Sequence, residues 1–180
     1  MVDPDELLVR RAQRGDVHAF DTLVERHRSR LFTLAARTLG SPNEAEDAVQ
    51  EALVRAWRSL PRFRHGSRFS TWLDRITVNC AHDVRERRRA EPMELAEERA
   101  DPRDALAAAE LSGALQAALD SLDEPYREAI VLYDLLGCSY LEIASIVGVP
   151  EGTVKSRIFR GRRDLAAALG TSSSEEASNG

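Results

Sequence analysis

Cysteine occurs only twice in this chain, lysine once, at Lys155, and aromatic residues make up just 6% of it. Two thiols, Cys80 and Cys138, far apart in sequence, cannot build a disulfide framework. They read as separate reduced thiols, as in a cytosolic protein. So few aromatics, beside 43% hydrophobic and 31% charged residues, point away from a large β-rich core. No run of about 20 apolar residues exists to span a membrane. The opening Met1-Val2-Asp3-Pro4-Asp5-Glu6 is acidic where a secretion signal is basic and then apolar. The expectation is a soluble protein of the cytoplasm. A phosphate loop, a Ser/His/Asp spacing and a distinct carboxylate pair are missing too, so neither an enzyme nor a cofactor is expected. Cys80-Ala81-His82 holds two metal-type ligands, but positions i and i+2 of a helix face different ways. No metal site follows from them.

The net charge of −5 argues against nucleic acid only until its distribution is read. Ten arginines fall between Leu53 and Arg89, against Asp74, Asp83 and Glu86. Lys155, Arg157, Arg160, Arg162 and Arg163 follow Glu151. Between these blocks, Ala90 to Glu124 carries ten acidic residues and only Arg99 and Arg103. Two basic blocks separated by an acidic one imply two nucleic-acid-facing surfaces on one chain.

Alanine, leucine and arginine recur throughout and favour helix, and no alternating strand pattern is present, so the chain should be all-α. A first helix starts near Asp5, and another after Gly15 runs to Leu39, where Gly40 stops it. Ser41-Pro42-Asn43-Glu44 is a start signal of N-cap, proline and first-turn acid. Over 43–60, Val49, Ala52, Leu53, Ala56, Trp57 and Leu60 share one face at about 100° per residue, while Asp47, Gln50, Val54 and Arg58 line the opposite one. Arg62 to Arg68 forms a basic loop, and a further helix from Phe69 points Trp72, Leu73, Ile76, Cys80 and Val84 inward. Residues 91–105, with Pro92 and Pro102 and no periodic apolar face, read as a flexible acidic linker. Helix resumes near Ala105, another covers Tyr126 to Leu136, and residues 171–180 read as a disordered tail. The organisation is two small helical domains, 1–90 and 106–170, joined by the linker.

Ser139-Tyr140-Leu141-Glu142 is a capping box. It opens a short helix with Ile143, Ala144 and Val147 inward. Gly148-Val149-Pro150 turns the chain, and a second helix starts at Glu151-Gly152-Thr153, anchored by Val154, Ile158, Gly161 and Leu165. Two helices joined by so short a glycine turn make a helix-turn-helix. Lys155, Ser156, Phe159, Arg160 and Arg163 then point outward, where a recognition helix meets the major groove. Arginine and lysine pair with guanine edges or phosphate, serine with either, and a phenyl ring with a thymine methyl.

In the front half, Trp57, Phe63, Phe69 and Trp72 alternate with arginines, the combination that stacks unpaired bases and grips phosphate. By helical position Trp57 and Trp72 read as core. Phe63 and Phe69 beside the basic loop are stacking candidates, and Asn79 has the groups to meet a base edge.

These residues resemble a known family. Asp47-Ala48-Val49-Gln50-Glu51-Ala52, Phe63-Arg64, and Phe69-Ser70-Thr71-Trp72-Leu73-Asp74-Arg75-Ile76-Thr77-Val78-Asn79 are similar to sigma domain two of extracytoplasmic-function sigma factors. Gly137 to Ala144 and Val149 to Arg157 resemble their sigma domain four. The resemblance spans most of residues 5–169, and the short linker fits it, since this group lacks the extra central domain of housekeeping factors. It implies a factor that directs RNA polymerase to promoters. Asp47, Gln50, Glu51 and Arg58 would grip core RNA polymerase. Phe63, Arg64, Phe69 and Asn79 would capture the melted −10 element. Lys155, Ser156, Arg157, Phe159 and Arg160 would read duplex promoter DNA at −35. Family members are commonly held inactive by an anti-sigma factor, so one is an expected partner. A free-standing helix-turn-helix repressor is the main rival reading, and a protein-binding adaptor that never touches DNA is a second. The first leaves the Asp47 stripe unexplained and the second the Lys155–Arg163 face.

Overall fold

The computed structural model describes residues 4–90 and 106–176. The expected linker, 91–105, lies outside the described residues. Every regular element among those described is helical: α1 (Glu6–Gln13), α2 (Val17–Leu39), α3 (Pro42–Ser59), α4 (Phe69–Ala90), α5 (Leu106–Asp120), α6 (Glu124–Ile130), α7 (Tyr140–Val147) and α8 (Glu151–Glu176).

Local signals set the ends of these helices. The Asp16 carboxylate accepts from the Ala19 N–H to start α2, and Ser41 Oγ accepts from Glu44 N–H to start α3. Each satisfies a backbone donor that has no partner inside the helix. A short tight turn, Leu60–Arg62, ends α3 at the proline.

The α6 segment departs from the sequence reading of an ordinary helix to Leu136. It widens over Val131–Leu135 into turns in which the Leu136 N–H donates to the Val131 carbonyl at 3.1 Å. The widened turns keep Val131 and Leu132 fully buried while Leu135 stays 41% exposed. At the other end of the chain, α8 continues to Glu176, past residue 170 where a disordered tail was expected to begin. The alanines at 166–168 favour that continuation.

Two apolar clusters organise these helices. The first joins α1 to α4 through Val9, Leu23, Ala52, Leu60, Phe69 and Leu73. The second gathers Leu119, Ile130, Leu132, Ile143, Val154 and Ile158 from α5 to α8. Leu34 of α2 and Val78 of α4, each 1% exposed, belong to this second cluster although they come from the front half. The two halves therefore pack directly against each other. Burying a side chain of this size contributes roughly 1.5–3 kcal/mol, so the junction is part of the packed interior.

Polar contacts rim that junction. Arg30 on α2 hydrogen-bonds the Leu136 carbonyl at 2.9 Å and the Cys138 sulfur at 3.0 Å. Arg37 donates to Ser112 and Gln116, and Arg85 and Arg127 both donate to the Thr38 carbonyl. Arg85 also pairs with Glu124 at 2.7 Å, and His82 hydrogen-bonds Glu128.

Candidate nucleic-acid interface

The helix-turn-helix forms as its sequence dictates. Ser139 Oγ accepts from the Glu142 N–H, and Glu142 accepts in return from the Ser139 N–H at 2.9 Å, completing the capping box. Gly148 takes the left-handed φ of 70° that ends α7, a conformation in which a Cβ is strained. Val154 and Ile158 are buried against the second cluster. At Gly161 an added Cβ would stand 2.9 Å from Ile130, so α8 lies on α6 at a distance only glycine allows.

This packing leaves one face of α8 outward. Lys155, Ser156 and Arg160 are exposed, Arg157 is half-buried, and Phe159 is 73% exposed. The Phe159 ring stands in solvent next to Arg160. Sequence reasoning missed what braces this face. Tyr133 and Tyr140 stack with ring centroids 4.9 Å apart, Lys155 lies over Tyr140 and Arg162 over Tyr133. Glu151 pairs with Lys155 at 2.6 Å and holds its ammonium above the ordinary lysine value. Glu151 thus tethers the lysine along the helix. Arg160 is steered by the Tyr126 hydroxyl at 3.4 Å. The tyrosines carried no periodic signal of their own and read simply as part of two short helices.

In the front half the expected stacking rings lie elsewhere. Phe69 is 1% and Phe63 8% exposed. Phe63, Phe69 and the half-buried Trp72 pack with centroids 5.0–6.1 Å apart, and His27 meets Phe69 edge-on. As placed, neither phenylalanine presents a face to a base. They clamp the two ends of the loop instead, because an aromatic flanking a short loop gains more from burial than from solvent. Gln13 ties the entry of the loop down by donating to the Leu60 and Phe63 carbonyls. The loop itself, Arg64 to Arg68, is exposed. His65 adopts φ 53°, uncommon for a residue with a Cβ, and its ring lies 5.0 Å from Phe63. Asn79 is exposed on α4. Trp57, expected in the core, is 37% exposed and leans on Phe20.

On α3 the solvent face carries Asp47, Gln50, Val54 and Arg58, all exposed, with Glu51 half-buried. Glu51 and Asp83 both pair with Arg55, a bridge between α3 and α4. An open groove lined by Asp47, Gln50, Glu51, Val54, Arg87 and Arg88 runs between these helices.

Neither thiol is arranged for chemistry. Burial pushes both Cys80 and Cys138 up to about 11, so both stay protonated near neutrality. His82, Glu124 and Glu128 bring three metal-type ligands within 4.8 Å. Glu124 is already taken by Arg85 and Arg89, and the cluster is an ion-pair network joining α4 to α6. Its hydrogen bond to Glu128 raises the His82 pKa against the effect of burial.

A two-unit helical chain with an exposed recognition helix, a basic loop and an amphipathic outer face on α3 has the organisation of a transcription factor. The profile of sigma-70 region 2 matches residues 23–91, and that of sigma-70 region 4 matches residues 112–165. The chain is 40% identical over 176 residues to the ECF RNA polymerase sigma-E factor of Escherichia coli K12, covering 89% of this chain and 92% of that one. Among solved structures it is similar to CnrH in complex with the cytosolic domain of CnrY, with a TM-score of 0.73 and 33% identity over 93% of this chain and 97% of that one. It is also similar to the sigma factor RpoE of Bartonella quintana in complex with the anti-sigma factor NepR, with a TM-score of 0.69 and 29% identity over 83% and 96%. The chain belongs to the extracytoplasmic-function RNA polymerase sigma factors. Its relatives regulate transcription and are not enzymes, and no described helix is long and apolar enough to cross a membrane.

Proposed function

We propose that this chain binds core RNA polymerase in the cytoplasm and directs promoter-specific initiation, reading −35 DNA as duplex and −10 DNA as melted strand. The observation that carries the reading is the outward face of α8, where Lys155, Ser156, Phe159 and Arg160 are exposed behind the Gly148 turn. Arg157, half-buried at the edge of that face, meets the phosphate backbone in this reading. A side chain paired well with a base edge discriminates by about 1–3 kcal/mol. The basic residues add salt-dependent affinity.

The −10 function falls on the exposed loop and on Asn79, with Arg64 gripping phosphate and Asn79 meeting a base edge. Phe63 and Phe69 contribute by holding the loop ends rather than by stacking. Extruding a base costs a few kcal/mol, so capture needs the complex with polymerase to hold the strand. The α3 face with Asp47, Gln50, Glu51 and Arg58 is the surface for core polymerase. Complexes of related sigma factors with an anti-sigma factor support a restraining partner of that kind here.

Run-off transcription with purified bacterial core polymerase on a genomic promoter library, with and without the chain, tests this. Transcripts sharing −35 and −10 sequences, weakened by Asn79→Ala and Lys155→Ala, are expected. Tight duplex binding with no transcripts and no co-elution with polymerase would favour a free-standing repressor instead.

A further inference from the structure

The first turn of α8 holds a glycine that the fold does not need. Gly152 is exposed, its φ is not positive, and an added Cβ would meet nothing within 4 Å. Glycine in a helix costs roughly 0.5–1 kcal/mol relative to alanine. The bare backbone therefore lowers stability and relieves no contact within the chain. Close approach of an outside group is the use such a position serves.

Glu151 precedes it as the first residue of α8. One turn further on, Lys155 takes the Glu151 carboxylate at 2.6 Å and lies over the Tyr140 ring at 5.3 Å. Residues i and i+4 share a helix face, and these two side chains are 38% and 55% exposed. Tyr140, stacked on Tyr133, supports the pair from behind. An acceptor and a donor are thus held side by side next to bare backbone. An acid in the first turn also suits the helix dipole, which explains Glu151 but not Gly152.

An exposed ion pair of this kind contributes only about 0.3–0.5 kcal/mol, whereas a good base contact discriminates by about 1–3 kcal/mol. A matching base edge therefore displaces it. Phosphate repels the carboxylate. In the major groove, a C·G base pair offers both halves of the match: cytosine N4 donates, and guanine O6 and N7 accept.

We propose that Glu151 and Lys155 together read one C·G base pair of the −35 duplex, Glu151 accepting from cytosine N4 and Lys155 donating to guanine, with Gly152 letting the DNA close on the helix end. This rests on the sigma-factor reading above. Glu151 is then a specificity residue. Its charge weakens binding to any duplex that lacks a cytosine at that place.

The test gives core polymerase carrying the full chain a promoter randomised across its −35 element, and the bound DNA is sequenced. One position should favour cytosine by about fivefold to 150-fold. Glu151→Ala should flatten that position alone and tighten binding to non-specific duplex. Glu151→Gln should move the preference there from cytosine to adenine, because a carboxamide pairs with adenine N6 and N7. Gly152→Leu should weaken binding without lowering the melting temperature.

An unchanged preference with Glu151→Gln overturns the proposal, and so does a loss spread evenly over every −35 position. A lower melting temperature with the preference intact would make Glu151 a helix-stabilising acid and nothing more. If the unaltered chain selects no −35 sequence at all, the sigma-factor reading falls and this proposal with it, a result distinct from the others.

Discussion

Arg30 on α2 embraces Asp74 on α4, with Nη2 2.8 Å from Oδ2 and Nε 3.1 Å from the same oxygen, while its other amino group reaches the Leu136 carbonyl. One guanidinium thus neutralises a carboxylate whose side chain is 1% exposed and fastens the second helical unit at the same time. Burial holds Asp74 above the ordinary carboxylate value, with Arg30 pulling against it.

Arg30→Gln should cost about 3 kcal/mol, because breaking such a pair strands a buried charge. Asp74 would then titrate higher still. A raised carboxyl pKa favours the folded state when protonated, so the variant should regain stability as pH falls through that value. Urea denaturation at about pH 5 and about pH 7.5 checks this, and a deficit equal at both would contradict it.

Stability should depend on pH through His82. Its hydrogen bond to Glu128 raises its pKa in the folded chain, so protonation favours folding. That contribution is fully present below the ordinary histidine value of 6.5 and is lost as pH rises through the raised one. Glu124 adds to the rise, while burial and Arg85 oppose it. Urea denaturation from about pH 5.5 to about pH 8.5 should show lower stability at the alkaline end. His82→Asn should flatten the profile.

Phe69→Ala should destabilise the chain by about 3–5 kcal/mol as a large core truncation. Arg64→Ala should leave stability within about 0.5 kcal/mol and weaken transcription. Thermal melts alongside run-off assays separate the two. A Phe69→Ala variant of ordinary stability would return the ring to the stacking role.

Lys155→Ala should lower duplex affinity and, if the lysine meets phosphate, reduce the slope of log affinity against log salt by about 0.9. Fluorescence anisotropy at several salt concentrations reads both. An unchanged affinity would remove Lys155 from the interface.

Gly161→Ala should cost about 1–3 kcal/mol by overpacking, because its Cβ meets Ile130 before any relaxation. The melting temperature of the variant measures it, and unaltered stability would mean that α8 moves freely on α6.

Helix order was legible because caps are local: Ser41, Gly40, Ser139 and Gly148 each announce an end within a few residues. The outward face of α8 was legible for a similar reason, since Val154 and Ile158 fix its rotation. The places of Phe63, Phe69 and Trp57 were not. Aromatics beside arginines look alike in sequence whether buried or free, and only the approach of α1, α2 and α4 decides which rings are covered. The widened turns at Val131–Leu135 and the junction of the two halves depend on partners far along the chain, which no periodicity encodes. Arg30 reads as one arginine among many until Asp74 and Leu136 are brought beside it.

The buried clamp of Phe63 and Phe69 separates two properties that a loop usually confounds. Its ends are fixed by the core, and its exposed stretch, Arg64 to Arg68, contributes little to holding the fold. Sequence change can therefore accumulate there without unfolding the protein. If the loop reads promoter DNA as proposed, a lineage carrying this frame is free to acquire new promoter preferences by altering the loop alone, and exchanging loops between such proteins would transplant preference without rebuilding the scaffold.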